Sequence, residues 1–139
     1  MHTAGSFCND YQTCAGKVSA LQSWQVATFG YFDIAYNYLI GGDGNIYEGR
    51  GAGVENAWMP SAIDICYIGN YIRNYDKVST KMDKAGQRLI ARLGIQGYLT
   101  SDYVVIGQNQ TYNTQSPGDN VYEKIVHWPH YDSQLYFST

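Results

Sequence analysis

Residues 33–51 read D-I-A-Y-N-Y-L-I-G-G-D-G-N-I-Y-E-G-R-G. Ile34 to Ile40 is an apolar run with aromatic and β-branched side chains, which predicts a strand. Gly41-Gly42-Asp43-Gly44-Asn45 is a dense turn signal, because glycine and Asp/Asn supply the positive-φ conformations that tight hairpins demand. Ile46-Tyr47-Glu48-Gly49 then reads as the returning strand. A hairpin here fixes the register of whatever sheet contains it.

Outward from this hairpin the chain predicts a mixed α/β domain with helices packed on a sheet. Toward the N-terminus, Thr13 is a candidate cap for a helix running to about Thr28, with Val18, Leu21 and Val26 partly on one face. Toward the C-terminus, Ala62–Ile68 is nearly all apolar and predicts a central strand. Thr80 with Asp83 resembles a helix start. Met82, Leu89, Ile90 and Leu93 form its buried stripe and Gly94 its stop. Tyr103–Ile106 predicts a short fourth strand. Ser116-Pro117-Gly118-Asp119 reads as a helix N-terminus, with Ser at the cap, Pro at the first position and Asp in the first turn. That helix would carry Tyr122, Ile125 and Val126 and stop before Pro129.

At 139 residues with 45% hydrophobic content the chain suits one compact domain, residues 1–139, with a real core. A net charge of −3 argues against a nucleic-acid groove, which needs a cationic surface. No apolar run approaches the roughly 20 residues that span a bilayer. The start at Met1-His2-Thr3 is already polar and shows no signal peptide. The fourteen tyrosines supply contact area with a polar tip, which suits either a binding surface or the rim of a core. Among three cysteines, Cys8 and Cys14 lie in a loop-like segment at a spacing that permits a small disulfide loop, which would imply an oxidising compartment. Cys66, in A-I-D-I-C-Y-I-G, reads as a buried inert thiol. Asn109-Gln110-Thr111 is a glycosylation sequon, compatible with secretion.

Several segments together resemble the peptidoglycan recognition protein family. They are His2-Thr3-Ala4-Gly5, the Cys8–Cys14 segment, residues 33–51, Y-I-G-N-Y at 67–71, the T-x-S-P-G of 114–118 and W-P-H-Y at 128–131. Their order and spacing fit across nearly the whole chain. The resemblance implies an amidase-like fold: a mixed central sheet flanked by three helices, with a long groove on one face. It implies a Cys8–Cys14 disulfide, secretion or display outside the cell, and a role in innate immunity. The family's domains begin earlier, with a strand leading into H-T-A-G. A sheet without it has an unpaired edge or a gap. Three explanations stay open: the strand lies outside this chain, a partner strand fills its place, or the domain is modified.

Hydrolytic members of such families hold zinc through two histidines and a cysteine, leaving a place for the water that zinc activates. By position the resemblance puts Met1, Gln108 and Ser116 where those ligands stand. A thioether, an amide and a hydroxyl cannot replace imidazole and thiolate. The expectation is no cofactor, no metal and no amidase activity. Tyr36 and Thr114 match assisting positions. Other catalytic readings are weaker: no nucleophile elbow surrounds Ser116, and Pro129 separates His127 from His130.

Two non-catalytic functions remain. The first is recognition of peptidoglycan fragments by a groove that includes His2, Tyr36, Arg50, Ala52, Asn56, Trp58, Gln108, Thr114 and Ser116. Ala52 stands where the family places an aromatic wall, and Trp58 where it places a histidine. Arg50 has two readings, a partner for a carboxylate of the peptide stem or a structural pair with Glu48 or Asp43. The second function is a degenerate domain, a decoy or structural piece, that binds another domain of its kind instead of peptidoglycan.

Overall fold

The computed structural model describes residues 1–136. Its elements in chain order are β1 (His2–Ala4), α1 (Tyr11–Phe29), β2 (Tyr38–Ile40), β3 (Ile46–Glu48), β4 (Ile65–Ile68), α2 (Thr80–Ile95) and α3 (Asp119–Ile125). The described strands form one sheet in the order β1-β4-β2-β3. β2 and β3 are the expected antiparallel hairpin, with Leu39 opposite Tyr47. β4 runs parallel to both β1 and β2, so it is central, as its uniform apolarity requires. The mixed sheet and three helices match the expected class.

Strand alternation divides the core in two. Ile40, Ile65 and Tyr67 pack against α2 and α3 through Met82, Leu89, Leu93, Val121 and Ile125. Leu39, Cys66 and Ile68 face α1, where Cys14 is buried and Val18 and Leu21 are partly buried. The Cys8–Cys14 disulfide is present and pins the start of α1 beside the hairpin turn. Gly41 and Gly42 serve a close approach as well as a turn. A side chain on Gly41 would meet Cys14 Sγ at 2.6 Å, and one on Gly42 would meet the Cys8 carbonyl at 2.1 Å. Cys66 is free and buried, and burial holds its thiol well above the usual range.

Several boundaries differ from expectation. Asp10, not Thr13, caps α1: its carboxylate accepts from both the Thr13 amide (2.8 Å) and the Thr13 hydroxyl (3.0 Å). Val26 is 40% exposed and does not belong to the buried face. Ile34–Asn37 is buried but outside the ladder, because Asn37 turns its amide to the Asp64 carbonyl as the strand begins. Ser79 caps α2 by accepting from the Met82 amide, and the helix passes through Gly94 to Ile95. Gly97, with φ 82°, makes the reversal instead.

Tyr103–Ile106 is no strand. Val105 makes one isolated bridge to Tyr131, donating to the His130 carbonyl and accepting from the Asp132 amide. Ser116 does not cap α3. Its hydroxyl accepts from the Thr3 amide at 3.0 Å, the Ser116–Pro117 bond is cis, and Gly118 precedes the first helical turn.

Candidate functional site

His2 lies in β1, 7% exposed, with its ring between two aromatic partners. Tyr36 lies below it at a centroid distance of 4.8 Å, and Trp58 stacks on it at 5.5 Å. The Tyr36 hydroxyl accepts from Gln25 on α1 (3.1 Å), and the other end of the same amide accepts from the Ala35 backbone (2.8 Å). Burial holds the Tyr36 phenol well above its usual range, so it stays neutral. Trp58 is 46% exposed, so it shelters one face of His2 and offers its own outer face to solvent.

Two asparagines build the loop that carries Trp58. Asn37 donates to the Gly51 and Val54 carbonyls and accepts from the Asp64 amide and from Asn56. Asn56 also donates to the Met59 and Ala62 carbonyls and accepts from the Trp58 and Met59 amides. Every polar atom of both buried side chains is used. Asn56 is therefore a frame residue whose polar atoms are engaged within the loop, and it also borders the cavity that His2 and Trp58 line. Asn37 and Gln25 are equally important to the frame. The visible trace of Asn37 in the sequence is an amide inside an apolar run, while Gln25 on a polar helix leaves none.

Asp64 stands beside His2, with Oδ2 3.6 Å from the His2 Nδ1. That oxygen has no hydrogen-bond partner among the described residues. Burial pushes the carboxyl up to about 6 and the imidazole down to about 3. Near neutral pH His2 is thus an uncharged imidazole.

His2, Asn56, Trp58, Asp64 and Gln108 border a cavity of about 440 Å³, whose far wall is formed by Ile63, Leu93 and Val105. Arg50 and Ala52 line a different recess, with Glu48, Arg88 and Arg92. Arg50 pairs with neither Glu48 nor Asp43. It donates to the carbonyls of Ile34 (2.6 Å), Glu55 (2.8 Å) and Asp33 (3.4 Å) and lies over the Phe32 ring at 4.2 Å. A guanidinium so occupied is a tie between two loops. Ala52 is half-buried against the α2 side of the core.

The three positions expected to correspond to metal ligands do adjoin. The Gln108 amide donates to the Met1 carbonyl, the Asn109 amide to the Ser116 carbonyl, and Ser116 Oγ meets Thr3. Among the described residues no three His, Cys, Asp or Glu side chains converge. The donors present are a thioether, a serine hydroxyl already engaged by the Thr3 amide and hydroxyl, and the amide of Gln108, whose Oε1 is buried without a partner. This set does not fit zinc. Thr114 accepts from the Ser116 amide at 3.3 Å and shapes the turn. Gln110 ties the same loop to the C-terminal segment, accepting from the Gly107 amide and donating to the Asp132 and Gln134 carbonyls. The sequon residue Asn109 accepts from the Tyr122 hydroxyl.

A parallel-centred sheet with this loop over its β1 edge defines an amidase-type domain, and residues 1–119 match the N-acetylmuramoyl-L-alanine amidase family model. The chain is 42% identical over 135 residues to peptidoglycan recognition protein 1 of Bos taurus, covering 94% of this chain and 70% of that protein. The Drosophila peptidoglycan recognition protein SA structure superposes with a TM-score of 0.90 at 31% identity, covering 99% of this chain and 82% of that one. The human PGRP-IBETAC structure, solved in complex with a glycosamyl muramyl pentapeptide, superposes at 0.87 with 33% identity, covering 94% and 82%. The chain belongs to the peptidoglycan recognition protein family.

Proposed function

We propose that residues 1–139 form a single muropeptide-recognition domain without amidase activity, acting outside the cell in innate immunity. One observation carries this reading: His2 and Trp58, stacked on each other with Tyr36 packed against His2 from the core, line a cavity whose neighbouring polar donors do not suit zinc. An uncharged imidazole and an exposed indole face suit the amide and sugar groups of a muropeptide better than they suit hydrolysis. Of the expected contact set, His2, Asn56, Trp58 and Gln108 line the cavity, Tyr36 packs against His2 from the α1-side core, Ser116 holds the Thr3 amide and Thr114 accepts from the Ser116 amide. Arg50 and Ala52 contact a ligand only if it extends into the second recess. The bound muramyl pentapeptide of the human relative supports the substrate class. The disulfide supports an oxidising, extracellular setting. No helix among the described residues is long and apolar enough to cross a membrane.

The test is calorimetric titration with Lys-type and diaminopimelate-type muramyl pentapeptides, alongside zinc analysis and a sacculus-digestion assay. Saturable heat at micromolar ligand, no bound zinc and no released stem peptide are expected. A second reading, a degenerate domain that pairs with another domain of its kind, is favoured by the stacking of Trp58 over His2. Silence with both fragment types would select it. Released stem peptide would overturn both.

A further inference from the structure

The strand order β1-β4-β2-β3 leaves β3 at an edge, on the far side of the sheet from His2. In the β2–β3 hairpin Leu39 stands opposite Tyr47. The flanking bonds run from the Gly49 amide to the Asn37 carbonyl and from the Gly41 amide to the Asn45 carbonyl. The hydrogen-bonded pairs of this antiparallel ladder are therefore the odd-numbered residues. Ile46 and Glu48 fall between them, so the amide and carbonyl of each point outward. Among the described residues none of these four groups has a partner. The two side chains lie on the α2 face, because they stand opposite Ile40 and Tyr38, which pack on that side. Ile46 is 41% exposed.

A recess of about 840 Å³ opens beside this edge, where Arg88, Leu89, Arg92 and Leu93 of α2 join Ile46 and Glu48 in the lining. Arg88 and Arg92 continue a stripe that begins with Lys81 and Lys84, so four of the nine cationic side chains of a net-negative chain lie on α2. All four are exposed, and none belongs to an ion pair among the described residues. Asp83, on the same helix, is already engaged by the Trp128 indole and the Gln87 amide. Arg50 also borders the recess, but its guanidinium is held by backbone carbonyls.

We propose that the β3 edge docks an extended acidic segment of a partner chain, which adds antiparallel to β3 and places a carboxylate opposite Ile46, in the recess with Arg88 and Arg92. One residue of the segment exchanges backbone bonds with Ile46, and the residue two before it does so with Glu48. The residue opposite Glu48 is uncharged, since an acid there would meet a like charge. Charge also decides against a second copy of this chain. Two copies paired edge to edge about Tyr47 would satisfy the same backbone groups. They would also bring two α2 helices, each with four free cations, onto one face of the joined sheet. Cations beside an edge strand thus oppose self-pairing while admitting an acidic strand.

The probe is the capped pentapeptide acetyl-Val-Thr-Val-Glu-Val-amide, added to the intact protein and followed by NMR chemical-shift titration and amide hydrogen exchange. One control peptide is N-methylated on Glu, which removes the donor to the Ile46 carbonyl; the other carries Lys in place of Glu. The protein control is the double variant Arg88→Glu, Arg92→Glu, at two exposed positions. Saturable binding of the Glu peptide is expected, with exchange at the Ile46 and Glu48 amides slowed about tenfold or more and the methylated peptide failing to bind. The parent should prefer the Glu peptide and the double variant the Lys peptide. Unchanged exchange at those two amides overturns the proposal, as does a charge preference that the double variant leaves as it was. Displacement of the bound peptide by a muramyl pentapeptide would assign the recess to the muropeptide instead. Concentration-dependent dimerisation that protects the same two amides without peptide would assign the edge to a second copy, and either result overturns the proposal.

Discussion

His2 and Asp64 are opposed in their effect on stability. The His2 imidazole has its pKa lowered from 6.5 to about 3, so below pH 6.5 the unfolded chain takes up a proton that the fold refuses. Stability therefore falls with pH across that range. The Asp64 carboxyl is raised from 3.8 to about 6, so in that lower window the fold takes up a proton that the unfolded chain refuses, and stability gains. Between pH 6 and 3.8 the two slopes nearly cancel. Asp64→Asn removes the compensating group. As pH falls through this window its unfolding free energy is expected to drop relative to the parent's, on the order of 1 kcal/mol per pH unit. Urea unfolding at a series of pH values checks it, and parallel curves for the two proteins would refute it. Ser116 makes a smaller residue-scale prediction. Ser116→Ala leaves the Thr3 amide without its acceptor and is expected to cost about 1–2 kcal/mol by the same measurement. Trp58→Ala removes the exposed platform over His2 and is expected to weaken muropeptide binding by about 2 kcal/mol in calorimetry, with the fold intact.

At the scale of the element, α2 shows how packing overrides propensity. Gly86 lies mid-helix, where Ala is ordinarily favoured by about 1 kcal/mol. Here an added Cβ would meet Trp128 at 2.5 Å and the Tyr67 hydroxyl at 2.6 Å, both of them buried. Overpacking of that kind costs about 1–3 kcal/mol, so Gly86→Ala is expected to destabilise by roughly 1 kcal/mol net in thermal or urea unfolding. The Trp128 indole has no room to retreat, because it donates to Asp83 in the first turn of α2 (2.7 Å). The apolar stripe of α2 was visible in the sequence because Met82, Leu89 and Leu93 recur at the helical period. The stop was not: Gly94 needs no special conformation, and the positive φ falls on Gly97. Asp10 was missed as the α1 cap because Thr13 is itself a good cap residue, and only the contact shows which of the two accepts. Val105 was read as a strand residue from its apolar neighbours, yet its ladder partner is the W-P-H-Y segment, remote in sequence, and it forms a single bridge. Local pattern reports periodicity and caps, while pairing between distant segments leaves little local trace.

At the scale of the whole molecule, the hairpin of residues 33–51 and the apolar Ala62–Ile68 run made the mixed sheet legible, since alternation and uniform apolarity have direct structural meanings. The site was legible by composition but not by geometry. Met1, Gln108 and Ser116 adjoin as expected, yet nothing in the sequence told that Asn56 and Arg50 are consumed by backbone carbonyls, or that Gln25 supports Tyr36 from α1. Those facts depend on which loop meets which. The same division sets the role of the disulfide. Two cores share one sheet, and the α1 side is the weaker, because α1 buries only Cys14 and Gln25 fully. The covalent link between Cys8 and Cys14 compensates by closing a short loop in the unfolded chain, which is worth about 2 kcal/mol. The double variant Cys8→Ser, Cys14→Ser is therefore expected to lower Tm by roughly 8 °C. The loss should also be uneven. Amides of α1 are expected to lose exchange protection first, while those of β4 and α2 follow the global transition, because Tyr67, Met82 and Leu93 remain packed on the other face. Uniform loss of protection across both faces would mean that the two cores fold as one unit and that α1 needs no staple.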